Sequence, residues 1–341
     1  VGLIEFSSFL SGAISKSFPS LHMHSCVYAT PFALGAILIA VVLTVELAAI
    51  GAIVLSIITG IMFENQLEFF IYPFITSIVA AQQVVLCKER KTLIRAGLIA
   101  GVVNVLIILC FALINKSLLN FDALTDVGFG FFGGILTGII ATGVVPIIES
   151  VFGYTTNIKL LELADLNQPL LKELSIKAPG TYQHSIMVGN LVESAAEAVG
   201  ANSLLARVSA YYHDIGKIDQ PEYFIENQDA QNKHDSLKPS LSAAVIKSHV
   251  KIGVEKAKEL DLPSAIIDII GQHHGKGLIS YFYNRARTEN SNGDEVSPDD
   301  YSYQGKRPQT KEAAIVMLAD AVEAASRSLE DPTYSRLRDL V

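Results

Sequence analysis

Cysteine is scarce in this 341-residue chain: Cys26, Cys87 and Cys110. All three lie in or beside apolar segments with no C-x-x-C spacing. That excludes a disulfide framework and a thiolate metal site, and reads the three as small apolar fillers. Positive charge is missing from the first half. Residues 1–152 hold six Lys or Arg (Lys16, Lys88, Arg90, Lys91, Arg95 and Lys116), and the rest fall after residue 152. So uneven a distribution argues for two parts of different solvent preference. No basic segment precedes the first apolar run, so a signal peptide is not expected. The chain begins at Val1 and reads as a truncated one, with 3–18 as the end of a cut helix. A net charge of −8 argues against a long nucleic acid as partner.

What the first part does have is apolar length. Runs fall near 27–44, 47–63, 69–86, 94–114 and 128–148. Most approach the roughly 20 residues a helix needs to cross a bilayer core. The segment CKERKTLIR, 87–95, is basic, whereas 64–68 and 115–126 carry mostly acids. The positive-inside rule therefore places 87–95, and with it everything beyond residue 148, in the cytoplasm. Gly130, Gly134 and Gly138 recur at the spacing of closely packed membrane helices. No ionisable residue sits mid-span; Glu46 falls at a turn. That gives an ion pathway or a transporter little support.

After residue 152 the pattern is helical, with apolar residues at three- and four-residue steps and no alternating strand. Residues 153–178 read as an amphipathic connector broken at Pro169, and 179–341 as a soluble all-α domain. Helices are expected near 181–199, 203–216, 240–260, 263–274 and 310–329, with Thr181 as an N-cap and Gly275 as a stop. The polar stretch 286–309 is too long for a plain connector.

Five histidines share the helices' apolar faces. His184 lies with Val188, Leu191 and Ala195, His249 with Val245, Ile246 and Ile252, and His273 over Ile266, Ile269 and Ile270; His213 and His274 complete the set. Asp214 stands beside His213, and Asp320 occupies the stripe of Ala313, Val316, Met317 and Ala324. A carboxylate buried there without a partner is strongly disfavoured. Five imidazoles and two carboxylates suit iron, manganese or zinc rather than calcium, and seven donors exceed one ion's needs. Two ions bridged by a carboxylate activate water and clamp the oxygens of a phosphate ester. Lys217, one turn past His213, is placed to meet a phosphate oxygen or leaving alkoxide; Tyr182 and Asn190 are candidate pocket residues. His22, His24 and His234 read as surface residues.

The segments APGTYQHSIMVGNLVESAAEAVGAN, YYHDIGKIDQPEYFIENQ, QHHGKGLISYFYNRA and PQTKEAAIVMLADAVEAASRSL resemble the HD superfamily of metal-dependent phosphohydrolases. Within it they are similar to the seven-transmembrane HD family, the PgpH-type cyclic di-AMP phosphodiesterases, whose extracellular N-terminal domain lies outside this sequence. The resemblance implies an all-α protein, a polytopic transmembrane bundle followed by a cytosolic HD domain, in a bacterial inner membrane. It also implies two divalent ions, iron or manganese. One would be held by His184, His213, Asp214 and Asp320. The other would be held by Asp214, His249, His273 and His274, with Asp214 bridging and serving, with Lys217, as a catalytic residue. The implied activity is hydrolysis of cyclic di-AMP to pApA. The implied partners are that cyclic dinucleotide and the lipid bilayer, and a homodimer is compatible with it. Two departures, Ser302 and Lys276, bear on substrate preference. The lack of a GYP signature argues against the cyclic di-GMP branch. Hydrolysis of another nucleotide such as (p)ppGpp, or a nucleotide receptor without turnover, are the alternatives.

Overall fold

The computed structural model describes residues 2, 5, 9, 11–13, 16, 23–63, 65–85, 89–228, 232–290, 296–327, 329 and 333–340. Cys87, His22 and most of the segment 3–18 lie outside them. Among the described residues there is no β-strand, only an isolated bridge between Leu278 and Ser302. The chain divides into two compact units, Val1–Ile158 and Lys159–Val341.

The first unit contains α1 (Met23–Val27), α2 (Leu34–Val42), α3 (Val45–Met62), α4 (Leu67–Gln83), α5 (Lys91–Ile114) and α6 (Phe121–Phe152). The expected run 27–44 is not one helix. Pro31 disfavours helical geometry at Thr30, so the chain turns there and restarts at Leu34. Three helices, α3, α5 and α6, are long and apolar enough to cross a membrane, and only 28%, 39% and 33% of their apolar windows are buried. α4 has 17 residues with Pro73 inside, a length of about 26 Å.

Thr44 caps α3, its hydroxyl accepting the Leu47 N–H. α5 and α6 pack backbone to backbone. A Cβ on Gly134 would lie 2.2 Å from the Gly101 nitrogen, and one on Gly97 2.6 Å from Gly138. The glycine spacing therefore reports a real contact, whose partner glycines Gly97 and Gly101 sit on α5. Beside it, buried Asn104 accepts from Thr76 (2.6 Å) and donates to the Gly130 carbonyl (2.8 Å).

The second unit contains α7 (Asn157–Leu163, which begins in the first), α8 (Pro169–Lys177), α9 (Pro179–Ala198), α10 (Ser203–Tyr212), α11 (Pro239–Glu259), α12 (Ser264–Gln272), α13 (Ser280–Glu289), α14 (Lys311–Arg327) and α15 (Tyr334–Leu340). Pro169, Pro179 and Pro239 each stand at a first helical turn, where the missing N–H costs nothing. One core gathers Leu171, Leu174, Tyr212, Ile215, Ile266 and Ile270. A second joins α9, α10, α12 and α14 through Val188, Val192, Ala206, Ile269 and Val316.

Several sequence expectations shift. α9 begins at Pro179, so Thr181 is inside the helix rather than its cap. α10 stops at Tyr212, and the chain continues as a 3-10 turn over Ile215–Asp219. The polar stretch 286–309 starts inside α13, whose buried face is only Phe282 and Ala286, too short to show a period. The face carrying His184 runs through Val188, Val192 and Ala196, while Leu191 and Ala195 are exposed.

Candidate metal centre

The second unit brings all seven predicted donors together. His184 comes from α9, His213 and Asp214 from the end of α10, and His249 from α11. His273 and His274 follow α12, and Asp320 comes from α14. The turn IGKID after Asp214 is pressed against α11. A Cβ on Gly216 would lie 1.9 Å from the His249 carbonyl oxygen, so only glycine fits there. Asp219 bonds Lys256 at 2.8 Å and ties the same turn to α11. Gly275, at φ +52°, ends the His273-His274 segment with its N–H on the Gln272 carbonyl.

Donor atoms of His184, His213 and Asp320 lie within 4.8 Å of one another, and so do those of Asp214, His249, His273 and His274. Asp214 stands between the two groups. Its Oδ2 is 3.3 Å from His213 Nε2 and 3.7 Å from His184 Nε2, while its Oδ1 is 3.3 Å from His249 Nε2 and 3.7 Å from His273 Nε2. Asp320 Oδ1 is 3.0 Å from His184 Nε2, and its Oδ2 is 3.6 Å from His274 Nδ1.

The backbone sets three of the tautomers. His213, His249 and His273 each have Nδ1 at 2.6–2.7 Å from the carbonyl three residues earlier: Ala210, Ile246 and Ile270. A carbonyl only accepts, so Nδ1 donates and it is Nε2 that faces the cluster. His213 Nε2 and Asp214 Oδ1 are buried with no hydrogen-bond partner, although buried polar atoms are nearly always satisfied.

Burial works against charge on both carboxylates, yet both are held well below the usual carboxylate range. For Asp214 the charges of His213 and Lys217 outweigh burial; for Asp320 the hydrogen bond of His184 and the neighbouring His213 imidazole do so. Burial also opposes protonation of His213, but the charge of Asp214 lifts it to about 10. On the other side, burial pushes His249 down to about 3 and His274 well below its ordinary value. Burial opposes protonation of His184 as well, but the hydrogen bonds of Asp320 and Glu323 outweigh it and raise its pKa. The carboxylates thus favour protonation on the His184–His213 side, and burial disfavours it on the other. A donor set of imidazole nitrogen and carboxylate oxygen with orphaned buried atoms fits divalent transition ions.

Lys217 Nζ lies 2.7 Å from Asp214 Oδ2 and 2.8 Å from Glu226 Oε1, over the Phe224 ring. Burial opposes its charge, but Asp214 and Glu226 raise its pKa, so the ammonium stays protonated. A cleft of about 460 Å³ opens onto the cluster, lined by His184, Lys217, Glu226, His274, Tyr303 and Asp320 among others. Tyr182 and Asn190 do not line it: Tyr182 packs against the core and Asn190 is exposed. His234 is not a surface residue. It is buried, its Nε2 2.7 Å from the Tyr223 carbonyl and its ring against Phe282. Nor do the two departures enter the cluster. Ser302 turns its hydroxyl to the Pro298 carbonyl, and Lys276 is exposed.

Sequence reasoning missed three neighbours of the site. Glu226 holds Lys217 and accepts from Thr181. Tyr303 stacks on His274 with ring centres 4.3 Å apart. Glu323 meets His184 and is bonded by Arg327. Glu323 alone had a visible signal, since it follows Asp320 by three residues on the same face; the buried stripe is Ala313, Val316, Asp320 and Glu323, with Ala324 outside it.

Residues 1–156 match the family described as 7TM receptor with intracellular HD hydrolase, and residues 181–325 match the HD domain. The chain belongs to this 7TM-HD family. It is 41% identical over 316 residues to the cyclic-di-AMP phosphodiesterase PgpH of Listeria monocytogenes, covering 91% of this chain and 44% of that protein. It is 38% identical over 332 residues to the PgpH of Bacillus subtilis, covering 95% of this chain and 46% of that protein. The chain thus spans less than half the length of these curated relatives. A crystal structure of the L. monocytogenes PgpH HD domain with cyclic-di-AMP is 51% identical, covering 51% of this chain and 79% of that chain at a TM-score of 0.48. Membership of the 7TM-HD family, together with the apolar helices, makes this a membrane protein.

Proposed function

We propose that this chain is the membrane and catalytic part of a phosphodiesterase that hydrolyses cyclic di-AMP to pApA. The observation that carries the proposal is Asp214, buried, with one oxygen toward each of two donor groups. One position would be held by His184, His213, Asp214 and Asp320, the other by Asp214, His249, His273 and His274, and iron or manganese suits both. Divalent cations there supply Lewis acidity toward a phosphate oxygen and toward water.

The protein's own groups do the remaining work. Water oxygen adds to phosphorus, the P–O3′ bond breaks, and the departing 3′-oxygen takes a proton, leaving a 5′-phosphate. Lys217, fixed between Asp214 and Glu226, offers a permanent positive charge to the phosphoryl oxygens as negative charge builds. Its raised pKa fits it for electrostatics and not for the role of base. A second groove of about 500 Å³ shares His274 and Tyr303 with the cleft, which gives the two nucleotide halves separate berths. The PgpH relatives support this substrate. The basic segment 87–95 supports a cytoplasmic site, where cyclic dinucleotide messengers are found.

The test incubates the full chain, in detergent with manganese or ferrous iron, with cyclic di-AMP, a short RNA and (p)ppGpp. Metal-dependent pApA is expected, with a loss on the order of 1,000-fold or more in Asp214→Ala. Turnover of one of the other nucleotides alone would refute the substrate. Two bound ions with no turnover of any would refute the enzyme.

A further inference from the structure

Four of the clustered imidazoles are positioned through a known second nitrogen, and one is unlike the rest. His213, His249 and His273 lean on neutral backbone carbonyls of their own helices. His184 instead sets Nδ1 2.5 Å from Oε2 of Glu323, a carboxylate 2% exposed on another helix, α14. The second oxygen of Glu323 accepts from Arg327 Nε at 2.6 Å, which fixes the carboxylate while the guanidinium side reaches solvent. A carboxylate behind an imidazole makes its far nitrogen a stronger donor and locks its direction; a neutral carbonyl locks direction with much less charge.

The two donor groups therefore differ in charge. The His184–His213–Asp320 group has Asp320 within it and Glu323 behind it, besides its share of Asp214. The His249–His273–His274 group has three imidazoles on its share of Asp214. Lys217 touches Asp214 Oδ2 on the first side, but Glu226 at 2.8 Å balances it. Burial of the whole cluster strengthens such differences, because screening by water is weak there.

We propose that Glu323 is a positioning residue that makes the His184–His213–Asp320 group the tighter of two cation sites, so that ions load there first. The inference rests on the two-ion reading above. The second ion then arrives at a site whose only anionic ligand, Asp214, is already shared, which makes its affinity the weaker one.

The full chain in detergent, stripped with a chelator, is titrated with Mn²⁺ by calorimetry, and bound metal is counted by elemental analysis. Wild type is expected to bind two ions in two phases, with His184→Gln abolishing the tighter and His249→Gln the weaker. Glu323→Gln keeps an acceptor for the His184 N–H and removes the charge; it is expected to weaken the tighter phase roughly 10- to 100-fold and leave the weaker in place. Two phases unchanged in Glu323→Gln, or both weakened alike, would overturn the inference while the two-ion reading stands. One ion or none in wild type would sink the two-ion reading itself. Should Glu323→Gln not fold, Arg327→Gln takes its place: freeing Glu323 of its countercharge is expected to tighten the first phase by roughly threefold. An unmoved first phase there would also overturn the inference.

Discussion

At Lys217 a single ammonium reconciles two carboxylates, buried Asp214 and part-buried Glu226. Burial alone would raise the Glu226 pKa, but the Lys217 charge outweighs it and leaves it lowered. A depressed carboxylate contributes stability that is present above its unfolded value near 4.5 and lost as pH falls through the folded one. Glu226→Gln is therefore expected to cost about 1–2 kcal/mol at pH 7 in urea unfolding, with the two proteins converging below pH 4.5. Lys217→Met, which keeps the stem and drops the charge, should lower kcat about 100-fold with little change in KM if the charge acts in the transition state. A rise in KM alone would show ground-state binding instead. The donors themselves were legible because each sets a polar group on an apolar face, as Asp320 does above Ala313 and Val316. Their supports were harder to see. Tyr303 and Glu226 come from irregular segments with no period to read, and His234 is covered by Tyr223 and Phe282 from elsewhere in the chain.

At the scale of elements, the turn after Asp214 decides how near α11 can come. Gly216→Ala would drive a methyl group into the His249 carbonyl. The expected cost is about 1–3 kcal/mol in urea unfolding, with loss of bound manganese as His249 is pushed from Asp214. A variant of wild-type stability and metal content would remove the turn from this role. Pro169, Pro179 and Pro239 each open a helix, as a first turn allows, but the sequence pattern reads Pro169 as a break and Thr181 as the cap. The break at Thr30-Pro31 was hidden by an apolar run that hydropathy reads straight through, and α13 by having just two buried apolar residues. Between the membrane helices, Gly130, Gly134 and Gly138 showed one side of the contact. Their spacing could not name α5 as the other.

For the whole molecule, α6 runs from Phe121 to Phe152, so its ends emerge on opposite faces of a bilayer. The basic segment 87–95 supports the proposal that residues beyond 152 are cytoplasmic. Introduced one at a time in intact cells, Ser117→Cys should react with a membrane-impermeant maleimide and Lys172→Cys should not, until the cells are permeabilised. Labelling of Lys172→Cys and not of Ser117→Cys would reverse the orientation drawn from charge, and equal labelling of both would refute the crossing of α6. A change of solvent preference along the sequence was enough to see two parts, because lipid and water demand opposite surfaces.

The bond between His184 and Glu323 joins residues 139 positions apart. A ribosome adding roughly 5–20 residues per second needs on the order of ten seconds to deliver the second after the first. From residue 274 onward in that interval His249, His273 and His274 can already meet Asp214, but Asp320 has yet to be made. On the proposed two-ion reading, the His249 side is therefore the first to have its full donor set. Whatever order equilibrium prefers, the time order of synthesis would complete the proposed weaker berth first, and the final ion distribution would be reached only once α14 has left the exit tunnel.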